Sequence, residues 1–262
     1  MQVAIIGSGN VATVLTKLMH SKGHTIKEVF SHTFSNAAVL AKLVGAKAVN
    51  DISHLSIDAD IYIIAVFDKA IEGIASQLHL QGKLVLHTAG SVSKDVLKDV
   101  SNKYGVLYPV QSIRKDMDAE TPIPFLVDGN NEAVTQEIEV LARSLHPKVV
   151  RGGDEERVKL HVAAVFACNF VNYMYLQSAT YCEQENIDFS LLQSLIEETA
   201  NRLQFYHPSE VFTGPAVRKD IGTVNKHLSL LEAYPDLQEM YGMISDKIMG
   251  DNLRQQSLAS IP

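Results

Sequence analysis

Cysteine is scarce in this chain: Cys168 and Cys182 are the only two, and no metal-ligand spacing accompanies them. Both fall in stretches with helical periodicity, where an isolated cysteine behaves as a small buried apolar residue of a reducing compartment. Positive charge is also short, since 23 Lys and Arg against 30 Asp and Glu leave a net charge of −7. A nucleic-acid partner calls for a basic face, so that class is excluded. Long apolar runs are missing too. The most hydrophobic segment, Val162 to Leu176, is interrupted by Asn169 and Asn172. It is short for a bilayer span and reads as a buried helix or a dimer core. The first strand pattern starts almost at residue 1, which leaves no signal peptide. No internal repeat or low-complexity run appears. What remains is a globular, cytoplasmic protein with no membrane partner, built as one large or two ordinary domains.

The chain is organised around residues 1–33. Val3-Ala4-Ile5-Ile6 is a short apolar run that stops at Gly7-Ser8-Gly9-Asn10-Val11-Ala12. Helical periodicity follows (Val11, Leu15, Leu18, Met19), and a second strand pattern occupies Ile26 to Phe30. Strand, glycine turn, helix and strand in this length form a dinucleotide-binding βαβ unit. Gly7 permits a tight turn, and Gly9 lets backbone N–H groups approach a pyrophosphate. Ala12 allows close helix packing, and the helix N-terminus favours negative charge.

Further short apolar runs at 47–49, 61–66, 83–86, 106–108 and 124–127 alternate with helical patterns at 37–44, 70–78 and 133–145. That alternation predicts an α/β, doubly wound parallel sheet. Beyond Arg151-Gly152-Gly153 only helical periodicity is found, so the boundary is placed between a Rossmann-like domain over 1–152 and a helical domain over 153–262. Ligands of an open parallel sheet collect beyond the carboxyl ends of its strands. Those ends are Gly7-Ser8-Gly9, Ser31-His32-Thr33, Val66-Phe67-Asp68, His87-Thr88-Ala89-Gly90-Ser91 and Tyr108-Pro109-Val110-Gln111. The expected cofactor contacts are Gly7, Ser8, Gly9, Asn10, Val11, Ser31, His32, Thr33, Val66, Phe67 and Thr88. An NAD site places an acid after its second strand. Here Ser31, His32 and Thr33 stand instead, hydroxyls and an imidazole suited to a 2′-phosphate, which favours NADP(H). Ser31 and Thr33 also suit a helix cap.

On the first helix of the second domain, His161, Val165, Cys168/Asn169 and Asn172 recur at helical spacing, a polar edge on an apolar helix. Such groups need partners when buried. His161 and Asn169 either face a cleft with a ligand or satisfy each other across a helix interface. Lys159 and Asn172 fit solvent-facing or structural roles. Asp220 is placed as an N-cap, one turn ahead of Thr223, leaving Arg218 and His227 available for an anionic substrate or a partner subunit.

Six motifs carry a resemblance over nearly the whole chain: GSGNVA (7–12), AVFD (65–68), LHTAGS (86–91), YPVQS (108–112), HVAAVFACNF (161–170) and TGPAVRKDIGTVNKHL (213–228). With these the chain resembles the Rossmann-like, DUF2520-containing proteins, relatives of pyrroline-5-carboxylate reductase and of F420-associated NADP oxidoreductases. The resemblance implies an N-terminal NADP-binding domain. It also implies a helical domain similar to the C-terminal domain of 6-phosphogluconate dehydrogenase, through which a homodimer forms. Ala89 departs from the serine expected before the glycine of its motif, and Phe67 stands where relatives carry proline. The expectation is an NADPH-dependent oxidoreductase reducing a small carbonyl or imine substrate, with His161 first and His87 second as proton donor, and Asn169 beside the substrate. The alternative is a binding protein that holds NADP as a sensor or scaffold without turnover.

Overall fold

The computed structural model describes residues 1–118 and 120–258, without the side chains of 251–258. Eight strands form one sheet: β1 (Gln2–Ile6), β2 (Thr25–Phe30), β3 (Lys47–Val49), β4 (Ile61–Ile64), β5 (Leu84–His87), β6 (Lys103–Pro109), β7 (Phe125–Gly129) and β8 (Val149–Arg151). Their order is β3-β2-β1-β4-β5-β6-β7-β8. Four helices cross over between them: α1 (Asn10–Ser21), α2 (Phe34–Val44), α3 (Asp68–Ala75) and α4 (Glu132–Leu145).

Successive strand residues point to opposite faces, and both faces are covered. Val3, Ile5, Ile61, Ile63, Leu84 and Leu86 pack with Leu15, Leu40 and Ile138 of α1, α2 and α4. Ala4, Ile6, Tyr62, Ile64 and Val85 pack on the other side with Ile71 and Ile74 of α3. This is why the strands read as unbroken apolar runs rather than as alternating ones. Each fully buried Ile or Leu contributes about 1.5–3 kcal/mol relative to an exposed one.

The sheet departs from the expected all-parallel arrangement at one pair. β6 and β7 run antiparallel, while β7 and β8 are parallel. The segment from Val110 to Pro124 has no helix among its described residues. Without a crossover helix to carry the chain back across the sheet, β7 returns beside β6 in the opposite sense. The three-residue β8 was not anticipated, because Val149-Val150 is too short a run to stand out.

After β8 the described residues hold only helices: α5 (Asp154–Ala164), a π-helical segment (Val165–Phe170), α6 (Val171–Gln184), α7 (Gln193–Arg202), α8 (Ile221–Leu230) and α9 (Pro235–Leu258), with short 3₁₀ turns between. The change of pattern expected near residue 152 falls at the end of β8. The chain divides into compact units later, between Val171 and Asn172. Within the second unit, Asp220 caps α8 as expected: its carboxylate accepts from the Thr223 N–H at 3.0 Å and from the Thr223 hydroxyl at 2.8 Å.

The expected buried helix at 162–176 is not buried. Val162, Phe166, Phe170, Tyr173 and Leu176 are exposed, Phe166 by 65% and Leu176 by 58%. An apolar stripe implies burial against something, and among the described residues these side chains stay exposed. Cys182 is buried as expected and Cys168 only partly, and neither forms a disulfide. No helix among the described residues is long and apolar enough to cross a membrane.

Candidate active site

The glycine turn sits where β1 meets α1. Gly7 has φ +131°, and a Cβ there would stand 2.2 Å from the Ala65 carbonyl oxygen, so glycine is required on both counts. Its N–H donates to the Phe30 carbonyl at 2.9 Å, tying the turn to the end of β2. At Gly9 nothing of the chain lies within 4 Å of where a Cβ would stand. Gly9 is also the N-cap of α1 and offers no side chain to its N–H groups. That leaves an open, N–H-lined approach suited to a pyrophosphate.

The end of β2 adds a second helix N-terminus. Thr33 precedes α2 but makes no side-chain cap, so the capping role open to it in the sequence is not realised. The Ser8 hydroxyl donates to the Ser31 hydroxyl at 2.9 Å, joining the two ends. His32 is exposed, with its ring edge-on to Phe30 at 5.3 Å between centroids. No acid starts α2. Beyond the ends of β4 and β5, Val66 is half-buried, Phe67 is 89% exposed, and Thr88 is buried with its N–H donating to the Ile64 carbonyl. Asn10 and Val11 open α1. The strands behind these residues are neighbours in the sheet, so the expected cofactor contacts share one edge.

The proton-donor candidates separate. His87 ends β5 with its side chain wholly buried, and its Nδ1 accepts from the Ala89 N–H at 3.2 Å. Burial first, and the Arg157 guanidinium second, push its pKa down to about 4. Nε2 then carries the ring proton, and the Ser93 backbone beside the ring opposes the downward shift. His161, by contrast, is exposed on α5, and its Nδ1 lies 3.0 Å from the hydroxyl of Tyr108, at the end of β6. Asn169 lies further on, exposed within the π-helical segment. Winding with i→i+5 bonds alters the helical phase that seemed to align it with His161. Lys159 is exposed and paired with Glu155 at 2.5 Å.

Three residues without a sequence role complete the arrangement. Tyr108 was visible only as a strand end. Arg157, one turn before His161, is fully buried; one of its Nη atoms donates to the Val92 carbonyl and to Asp154 at 2.8 Å. The backbone N–H of Lys94 also donates to Asp154, at 3.3 Å. Together these bonds strap the loop after β5 to α5. Gly90 lies beneath the pair, and a Cβ there would stand 2.9 Å from His161 Nδ1 and 3.2 Å from Tyr108 Cε2. Nothing in a one-dimensional pattern marks an arginine as buried or a glycine as making room for a residue 71 positions on. Among the described residues no cluster of His, Cys, Asp or Glu could hold a metal.

Comparison with known proteins agrees with this geometry. Residues 2–90 match the family described as NADP oxidoreductase, coenzyme F420-dependent, and residues 123–248 match DUF2520, a domain of unknown function. No match is found among curated proteins. A protein from Bacteroides fragilis, BF3122, provisionally assigned as an NADP oxidoreductase, is 33% identical over 95% of this chain and 98% of its own, with a TM-score of 0.85. The 1-pyrroline-5-carboxylate reductase of Streptococcus pyogenes is 13% identical over 95% and 98%, with a TM-score of 0.67. An imine reductase from Myxococcus stipitatus, solved with NADP+, is 15% identical over 99% and 95%, with a TM-score of 0.61. The last two establish the fold alone. With the turn, the sheet and the first relative in agreement, the chain belongs to the Rossmann-type NADP oxidoreductases that carry a DUF2520 domain.

Proposed function

We propose that this protein reduces a small carbonyl or imine substrate with NADPH, and that His161 supplies the proton. The observation that carries the reading is the bond from His161 to Tyr108 at 3.0 Å. It puts an imidazole, the side chain suited to proton transfer near neutral pH, at the ligand edge of the sheet. NADPH, when bound, supplies the hydride. The N-terminus of α1 and Gly9 hold its pyrophosphate, while Ser31, His32, Thr33 and the uncapped start of α2 receive the 2′-phosphate. Phe67 and Thr88 border the nicotinamide. His87, buried and neutral, supports the loop after β5 rather than donating a proton. Asn169 orients the substrate.

Two copies associate through the helical region, because Phe166, Phe170, Tyr173 and Leu176 are left exposed among the described residues. A contiguous exposed apolar face of this kind marks an association surface.

Calorimetric titration tests the cofactor reading. NADPH is expected to bind at least tenfold more tightly than NADH, and Ser31→Ala to remove most of that preference. Equal affinities would refute the NADP reading. An NADPH-oxidation screen over keto acids and cyclic imines tests turnover, with His161→Ala expected to lose about 100-fold or more in kcat while keeping NADPH affinity.

A further inference from the structure

His161 is held at one nitrogen and open at the other. Its Nδ1 meets the Tyr108 hydroxyl at 3.0 Å, and the two rings stand edge to face at 78°, 6.1 Å between centroids. Gly90 closes the Nδ1 side so tightly that a single methyl group there would overlap the ring. Tyr108 is itself buried, on the sheet, and strand β6 fixes it. The exposed part of the imidazole is therefore its Nε2 side.

From this geometry we infer that Tyr108 is a positioning residue: it holds the His161 ring so that Nε2 is the nitrogen delivering the proton. The inference rests on the proposed reduction but concerns a residue that reading left unassigned. A hydroxyl can serve both charge states of the ring. With the imidazolium, the Tyr108 oxygen accepts from Nδ1–H. With the neutral ring protonated at Nε2, the Tyr108 O–H donates to Nδ1. In the reaction, hydride adds to the carbon of the C=N or C=O bond as the Nε2 proton moves to its heteroatom. NADPH becomes NADP+, and His161 is left neutral with its remaining proton on Nδ1, donated to Tyr108. Solvent restores the proton at Nε2.

The charged and titratable groups around the pair are Arg157 and Asp154 of α5, Asp68 at the start of α3, and His87 of β5. Burial raises the Tyr108 phenol above its ordinary pKa, with Arg157 opposing and Asp68 reinforcing. Tyr108 therefore stays protonated near neutral pH and remains a donor.

The test compares Tyr108→Phe, Gly90→Ala, His161→Gln and the double variant Tyr108→Phe/His161→Gln in the full chain. Two readouts are used: NADPH oxidation with 1-pyrroline, and the ring-nitrogen NMR shifts of His161, which report whether Nδ1 or Nε2 holds the proton of the neutral ring. Tyr108→Phe is expected to lower kcat about tenfold, the scale of one hydrogen bond, with KM for 1-pyrroline and NADPH affinity kept. In the His161→Gln background the same change is expected to cost nothing further, because a residue acting through another is non-additive with it. Both Tyr108→Phe and Gly90→Ala are expected to raise the share of the neutral His161 ring that is protonated at Nδ1, with or without turnover. An unchanged tautomer ratio in both overturns the inference, even in an active enzyme. Additive losses in the double variant also overturn it. Failure of 1-pyrroline and every other substrate to turn over counts against the proposed reduction instead, and the tautomer ratio still decides the role of Tyr108.

Discussion

The sheet unit and the helical unit of this chain solve burial in opposite ways. In residues 1–171 every central strand is covered on both faces, and Ile5, Ile6, Ile63, Leu86 and Val127 are wholly out of solvent. In the unit from Asn172 onward, the buried apolar side chains among the described residues are Cys182, Ala216, Val224 and Leu231. Leu176, Leu191, Leu195, Phe205 and Phe212 are exposed there. A segment with so little interior has little to set against its own conformational entropy. The sheet unit carries its own core, whereas the helical unit leaves many of its large apolar side chains exposed.

Three measurements test that contrast. Ile63→Ala, in the middle of β4, should lower stability by about 2–5 kcal/mol through lost burial and a cavity. In calorimetry the loss should appear in a transition independent of protein concentration. Next comes pH. His87 has a folded pKa of about 4 against 6.5 when unfolded, so the unfolded chain takes up the proton first. Stability should be complete above the unfolded value and fall as pH drops from there toward 4, by about 3 kcal/mol at most. His87→Gln should flatten that window in a series of thermal melts, and an unchanged slope would show that other groups govern it. Smallest is Leu176→Asp, which should weaken self-association by roughly 1.5–3 kcal/mol, on the scale of one leucine leaving an interface. Sedimentation over a dilution series should show dimer giving way to monomer. If Leu176→Asp leaves association untouched, the cover lies elsewhere.

The fold was largely legible because its signals are local. The β1 run, the Gly7 turn and α1 follow one another within 21 residues, and each apolar strand is its own evidence. The helix over 154–184 was equally legible by period, but its π-helical stretch was not, since nothing in Val165-Phe166-Ala167-Cys168-Asn169-Phe170 announces a change of winding. Exposure was misread there for a related reason: periodicity says which residues share a face, not what lies opposite. The site was half legible. Residues at strand ends were found together because one rule of parallel sheets collects them. Tyr108, Gly90 and Arg157 were not assigned, because their roles come from residues 53 to 71 positions away along the chain.

The reversal at β6 and β7 has a consequence for which side chain of α5 meets the end of β6. Had β7 and β8 continued parallel to the rest, β8 would finish at the ligand edge, and α5 would begin there and lead away from it. Asp154 would then stand at the site, with His161 about 10 Å along the helix at a rise of 1.5 Å per residue. Because the last two strands run the other way, β8 ends with Arg151 level with Leu107 of β6, and α5 follows from there. Its Arg157 donates to the loop after β5, and one turn on His161 meets Tyr108. A change of strand direction with no chemistry of its own thus selects which turn of α5 meets the end of β6: an imidazole rather than a carboxylate.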